Sequence, residues 1–201
     1  LHSGIKVDVT LIPGNSNSGI VFKRTDLEKD NEIVANFKNV SSAKLCTKIE
    51  NNHGVSVSTI EHLLAAFYVC GIDNIIVNLN GPEVPIMDGS AKEFVKIINE
   101  IGLKTLEGKR NFVRVKKSVE LKKEDGRSIS VKPSSQTFDV KFTLNYKKNP
   151  LIKTQVNKIN FAEKNLEDIV DARTFCLYED IEMIKSMGLA KGGSLDNAIV
   201  V

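Results

Sequence analysis

Ser58-Thr59-Ile60-Glu61-His62-Leu63-Leu64-Ala65-Ala66-Phe67-Tyr68-Val69-Cys70-Gly71 is the stretch on which the fold turns. Upstream of it the apolar residues alternate. Ile5, Val7, Val9 and Leu11 share one face of a strand and Lys6, Asp8 and Thr10 the other, until Pro13-Gly14-Asn15 breaks the run. Within the stretch the period changes, because Ile60, Leu63, Leu64 and Phe67 recur at helical spacing and Gly71 supplies a stop. The spacing predicts an amphipathic helix over 58–70, fed by strands.

Working outward, short strands are expected at 20–24, 33–37, 45–50 and 55–57, separated by Asp30-Asn31 and Asn51-Asn52-His53-Gly54. After the helix, 75–79 resumes strand character, Gly81-Pro82 turns the chain, and 91–101 reads as a second helix ended by Gly102. The segment 104–110 is polar. Beyond it, 112–121 and 128–131 form a predicted hairpin around Glu124-Asp125-Gly126, followed by a strand over 137–145 and helices at 162–168 and 179–187. The expectation is an α+β protein of two similar layered domains, each a sheet packed with helices: 1–106, carrying Glu61-His62, and 107–201, incomplete.

Composition narrows the classes. With 41% apolar residues, 201 residues can bury one large or two small cores. A net charge of +3 spread over 26% charged residues gives no basic stripe of the kind nucleic acid demands. Cys46, Cys70 and Cys176 are far apart and odd in number, which points to reduced thiols and a cytoplasmic setting. No apolar run approaches the roughly 20 residues of a membrane span. The chain opens on Leu1 without Met and closes on the apolar run Ala198-Ile199-Val200-Val201, so a fragment is expected.

Two readings of Ser58 to His62 fit the residues. In one, Ser58 caps the helix and Glu61 reaches back to the Ser58 amide, a capping box. In the other, a neutral imidazole at His62, favoured by the positive helix end, binds a metal beside the Glu61 carboxylate. Ala66 stands where a His-Glu-x-x-His zinc motif needs its second histidine, and the other histidines are His2 and His53, the latter in a turn. Met87-Asp88-Gly89-Ser90 reads as a turn and an N-cap for the next helix, and Cys46 as a small buried residue.

Seven strings occur in an order and spacing that resemble the family of UDP-3-O-acyl-N-acetylglucosamine deacetylases. They are Leu1-His2-Ser3-Gly4, Leu45-Cys46-Thr47, Ser58 to Leu63, Gly71-Ile72-Asp73-Asn74, Pro85 to Ala91, Ala172-Arg173-Thr174-Phe175 and Gly192-Gly193-Ser194-Leu195-Asp196. The resemblance implies a zinc (Zn2+) amidase of lipid A synthesis that removes acetate from an acylated UDP-sugar, cytoplasmic, monomeric and without a nucleic-acid partner. It implies His62 as a zinc ligand, Glu61 as general base, Thr174 as the hydroxyl that stabilises the oxyanion, and Phe175 against the sugar. His2 matches a histidine near the metal centre that is not a ligand, and a frayed terminal residue is the other reading of that position. Leu1, Tyr178, Ile181, Ala190, Leu195 and Val200 match the lining of an apolar tunnel for the acyl chain, and ordinary core packing is the other reading of those positions.

The chain departs from the family where a His-Lys-x-x-Asp motif and a further histidine should follow Gly-Gly-Ser, and in Lys191, where the family often has an apolar residue. A fragment with weak zinc binding and no useful turnover is therefore expected. Fusion to an acyl-carrier-protein dehydratase is a second enzyme reading. A reading from another class is a basic α+β module gripping RNA or a phosphorylated ligand through Lys116, Lys117, Lys122 and Lys123, although Glu120, Glu124 and Asp125 interleave with them and no aromatic platform accompanies them.

Overall fold

The computed structural model describes residues 1–135, 138–162 and 166–201. Its elements, in chain order, are β1 (Val9–Pro13), β2 (Ile20–Arg24), β3 (Glu32–Val34), β4 (Val40–Ser42), β5 (Lys48–Glu50), β6 (Ser56–Val57), α1 (Glu61–Cys70), β7 (Ile75–Leu79) and α2 (Lys92–Ile101). There follow β8 (Val119–Lys122), β9 (Ser128–Val131), β10 (Asp139–Tyr146), β11 (Lys153–Asn160), α3 (Glu167–Val170), β12 (Phe175–Cys176), α4 (Ile181–Ser186) and β13 (Ile199–Val200). The chain is a mixed α+β protein, as its changes of period predict.

By their contacts the residues form two compact units, Leu1–Gly108 with Glu167–Val201, and Lys109–Leu166. In the first, a four-stranded sheet has the order β1-β7-β2-β3. β7 runs antiparallel to β1 and parallel to β2, pairing Val77 with both Leu11 and Phe22. Alternation along β7 buries Ile75, Val77 and Leu79, which join Phe22, Ile33, Leu63, Phe67, Phe94 and Ile98 in one core under α1 and α2. Burying a large apolar side chain fully contributes roughly 1.5–3 kcal/mol. α1 ends where expected: Gly71 adopts a left-handed φ of 74°, and the Ile72 N–H returns to the Phe67 carbonyl at 2.8 Å. A second sheet, β4-β5-β6, brings residues 45–50 beside α1.

α3, β12, α4 and β13, placed by the sequence in the second domain, have their contacts in the first unit. The reasons are specific. The Ala91 N–H donates to the Val170 carbonyl at 3.1 Å, the Thr174 N–H to Gly89 at 2.8 Å, and the Gly192 N–H to Leu1 at 2.9 Å.

The second unit holds two antiparallel ladders, β8-β9 and β10-β11. The β8-β9 turn falls at Glu124-Asp125-Gly126 as predicted, with Gly126 at φ 87°. Its charges pair locally, Lys122 with Glu120 at 3.3 Å and Arg127 with Asp125 at 2.6 Å, in keeping with a solvated hairpin. Thr137, the first residue of the predicted strand 137–145, and 163–165 of the predicted helix 162–168 lie outside the described residues.

Candidate active site

The helix carrying Glu61 and His62 begins at Glu61, not Ser58, because the backbone at Thr59 breaks helical geometry. Thr59 sits in the left-handed region at φ 57°, and Ile60 is the cap, with no side-chain cap bond. The capping box therefore does not form. The Ser58 hydroxyl donates to the Pro82 carbonyl at 3.3 Å, and Glu61 accepts the Thr47 N–H on Oε2 at 3.0 Å. Glu61 is thus turned toward the Leu45-Cys46-Thr47 segment.

His62 is half-buried. Burial pushes its pKa below the ordinary value, and the neighbouring charges of Glu61 and Asp88 pull upward without prevailing. The ring is held neutral, with burial as the larger cause. Cys46 is half-buried against Thr59; burial pushes its thiol up, contacts with Thr59 work the other way, and the Glu61 and Glu83 charges reinforce the rise. It is a protonated, weakly nucleophilic thiol at neutral pH.

Asp88 and Ser90 build a local knot. Asp88 Oδ1 accepts the Ser90 N–H at 3.0 Å and the Ser90 hydroxyl at 2.7 Å, while Ser90 Oγ accepts the Lys92 N–H at 3.1 Å. Ser90 thus meets the first N–H of α2, whose cap residue is Ala91, one position after the Ser90 N-cap that the sequence predicts. Burial raises the Asp88 pKa, but the Ser90 hydrogen bonds and Arg173 outweigh it and hold the carboxyl below its usual range.

The turn at 87–89 links this knot to Thr174. The Thr174 N–H donates to the Gly89 carbonyl at 2.8 Å and its carbonyl accepts the Ile199 N–H at 3.0 Å, which fixes Thr174 between the turn and β13. Arg173 clamps the same region. Its Nε donates to the Asp88 carbonyl at 2.6 Å, and its Nη2 donates to the carbonyls of Leu195 at 3.1 Å and Asp196 at 2.6 Å.

The other positions singled out from the sequence fall as follows. The 190–192 loop is tied to the chain start: His2 Nδ1 accepts the Ala190 N–H at 3.3 Å and the Leu1 carbonyl accepts from Gly192. Phe175 pairs with Ile199 across β12-β13, Val200 with Cys176, and the Tyr178 N–H reaches the Val201 carbonyl. Ile181 opens α4. Tyr178 and Leu195 are about three-quarters exposed, at 75% and 74%, which ordinary core residues are not.

Sequence reasoning missed Glu83. It is buried, and its carboxylate accepts the N–H groups of His2 at 2.8 Å and Ser3 at 2.6 Å and the Thr59 hydroxyl at 2.9 Å. Burial raises its pKa, but these donors and the Ser3 hydroxyl win and hold it down to about 2. The available signal was an acidic residue inside Gly-Pro-Glu-Val-Pro, flanked by apolar neighbours that fold inward.

A catalytic zinc takes about three protein ligands. Among the described residues no group of three or more His, Cys, Asp or Glu side chains could hold a metal ion. His62 and its neighbours do not by themselves fit the group. Nor is any described helix long and apolar enough to cross a membrane.

Fold and site together define an α+β protein whose Glu-His pair opens α1, with the Asp88 charge acting on His62 and Thr174 tied by its N–H to the 87–89 turn. The chain belongs to the UDP-3-O-acyl N-acetylglycosamine deacetylase family (LpxC), whose sequence profile matches residues 1–201. It is 42% identical over 205 residues to a UDP-3-O-acyl-N-acetylglucosamine deacetylase of Haemophilus ducreyi and 43% over 204 residues to that of Sodalis glossinidius. A third relative so named, from Actinobacillus pleuropneumoniae serotype 3, is 40% identical over 204 residues. In all three matches the whole of this chain is covered, and it spans 66% of the relative's length.

Proposed function

We propose that this chain carries the amide-hydrolysing half-site of a cytoplasmic, monomeric UDP-3-O-acyl-N-acetylglucosamine deacetylase of lipid A synthesis, which releases acetate from the 2-amino group of the sugar. The observation that carries the reading is Glu61, released from its helix end and held at Oε2 by the Thr47 amide beside an imidazole kept neutral by burial. That leaves Glu61 to take the proton of the attacking water as general base, a role typically worth 10²–10⁴ in rate. Thr174, held by Gly89 and Ile199, offers its hydroxyl to the oxyanion of the tetrahedral intermediate. Phe175 packs near the sugar. Leu1, Tyr178, Ile181, Ala190, Leu195 and Val200 receive the acyl chain, and the exposure of Tyr178 and Leu195 supports a ligand-facing role. Zinc is the proposed cofactor, with His62 as one ligand and the others supplied by the third of the relatives' length that this chain does not span. A domain boundary between 106 and 107 is proposed for the longer enzyme, although within this chain 167–201 group with residues 1–108.

The test is Glu61→Gln in an enzyme of the relatives' full length that carries this chain, assayed by acetate release. A loss of at least about a hundredfold in kcat is expected, and a rate equal to the parent's would end the mechanism. On the 201-residue chain, zinc titration by calorimetry should give weak binding. Nanomolar one-to-one binding abolished by His62→Ala would mean that this chain supplies a complete ligand set around His62, against the division of ligands proposed.

A further inference from the structure

His2 is buried, with 9% of its surface exposed. Its main chain is pinned on both sides: its N–H donates to Glu83 Oε1 at 2.8 Å and its carbonyl accepts the Lys191 N–H at 3.3 Å. The ring is pinned as well, since Nδ1 accepts the Ala190 N–H at 3.3 Å. A main-chain N–H only donates, so Nδ1 presents its lone pair, and the neutral imidazole must carry its proton on Nε2. That Nε2–H is buried and has no hydrogen-bond partner among the described residues. Folded proteins leave few such donors unpaired, because each forfeits about the weight of a hydrogen bond.

The placement of the residue says what the donor is for. Its main-chain N–H is tied to Glu83, which also holds Thr59, two residues before Glu61. Its ring is tied to the 190–192 loop, whose Gly192 N–H holds the Leu1 carbonyl at 2.9 Å. On the deacetylase reading, a ligand with its amide at the head of α1 and its acyl chain along 178–200 would run past His2 with the oxygens that join chain to sugar. We infer that His2 Nε2–H is a substrate-binding donor that takes an oxygen acceptor of the acylated sugar nucleotide, either the carbonyl of the acyl ester or a hydroxyl of the sugar. The assignment rests on the deacetylase reading.

Two measurements on the 201-residue chain test it. Long-range proton–nitrogen NMR of labelled histidine reads the tautomer and follows the Nε2 proton on saturation with UDP-3-O-acyl-N-acetylglucosamine. Calorimetry compares that ligand with unacylated UDP-N-acetylglucosamine on the parent, His2→Asn and His2→Gln. Asn places an acceptor near the Nδ1 position and nothing at Nε2, whereas Gln reaches the Nε2 position with a donor and vacates Nδ1. The expected result is a proton on Nε2 that shifts on binding, about tenfold weaker binding for His2→Asn, the weight of one buried hydrogen bond, and near-parent binding for His2→Gln. A loss confined to the acylated ligand assigns the ester carbonyl, and an equal loss for both assigns a sugar hydroxyl. The reverse order, with Asn binding like the parent and Gln weaker, makes His2 a latch for Ala190 only and overturns the proposal while the deacetylase reading stands. A proton on Nδ1, or an Nε2 proton unmoved at saturation because water is its only partner, overturns it equally. If the parent chain binds neither nucleotide the proposal falls, and the deacetylase reading is then judged by the Glu61→Gln assay in the longer enzyme.

Discussion

Gly89→Ala tests how tightly the segment carrying Thr174 is held against the 87–89 turn. Gly89 has φ 88°, a conformation L-residues avoid, and a Cβ added there would stand 2.3 Å from the Asn197 carbonyl oxygen and 2.9 Å from its carbon. The left-handed backbone alone costs roughly 1–2 kcal/mol. The clash is with backbone, so the 197 segment must move, at roughly 1–3 kcal/mol for a forced repacking. That movement also strains the bond from Thr174 to the Gly89 carbonyl. The sum is about 2–5 kcal/mol, a large share of a typical domain's stability. Gly54→Ala is the control, because Gly54 has φ 78° and nothing within 4 Å of the added Cβ. Urea unfolding of the chain should show Gly89→Ala losing about 2 M in midpoint at a usual slope near 2 kcal/mol/M, and Gly54→Ala losing well under half of that. Hydrogen exchange adds a local readout, since the Thr174 and Ile199 amides should lose protection first. Equal midpoints for the two variants would refute the reasoning that the 174–197 segment is anchored through this glycine.

Glu83 sets an acid limit on stability. Its folded pKa of about 2 lies below its unfolded 4.5, so its contribution is fully present above about pH 4.5 and disappears as pH falls toward 2. At full strength this is on the order of 3 kcal/mol. Glu83→Gln should lower stability at neutral pH and flatten the loss between pH 4.5 and 2, read by urea midpoints across that range; an unchanged slope would contradict the assignment. Arg173→Lys keeps the charge but cannot span the carbonyls of Asp88, Leu195 and Asp196 together. A loss of about 1–3 kcal/mol with faster exchange at Thr174 and Ile199 is expected, and full retention would show the clamp to be incidental. Leu195→Glu, at a position 74% exposed, should leave the fold's melting point nearly unchanged while weakening binding of an acylated nucleotide more than an unacylated one.

What the sequence disclosed depended on whether the relevant forces were local. β2 and β7 fall at their predicted residues because each is short, apolar and bounded by turn formers. α1 was legible by its period, yet its start was not, because Thr59 is held left-handed with its hydroxyl on Glu83, a partner 24 residues away. β11 was missed for a different reason. Lys-Thr-Gln-Val-Asn-Lys-Ile-Asn has little alternation, six of its eight residues are exposed, and its pairing with β10 along eight register positions is carried by the main chain. Glu83 was invisible as a hub since its donors come from residues 2, 3 and 59, which no spacing rule connects.

The strained residues give an independent route to the same place. Among the described residues seven non-glycines have positive φ, and Leu45, Thr59, Met87 and Ala190 are four of them. Leu45 lies two residues before the amide that holds Glu61; Thr59 precedes the Glu-His pair; Met87 opens the turn that holds Thr174; Ala190 donates to His2. None is Asn or Asp, the residues that tolerate this region best, and each forfeits roughly 1–2 kcal/mol. Strain of that kind persists only where surrounding bonds over-determine it. In this chain those bonds are the ones that fix Glu61, Thr174 and His2, so the backbone departs from its preferences at four points that bear on one site. Relieving one of them tests the link: Met87→Gly removes the strain without touching a named hydrogen bond. It should raise stability by up to about 1 kcal/mol after the added chain entropy of glycine is counted. A variant that instead lost stability comparable to Gly89→Ala would mean that the Met87 side chain, and not the geometry of the turn, holds this corner together.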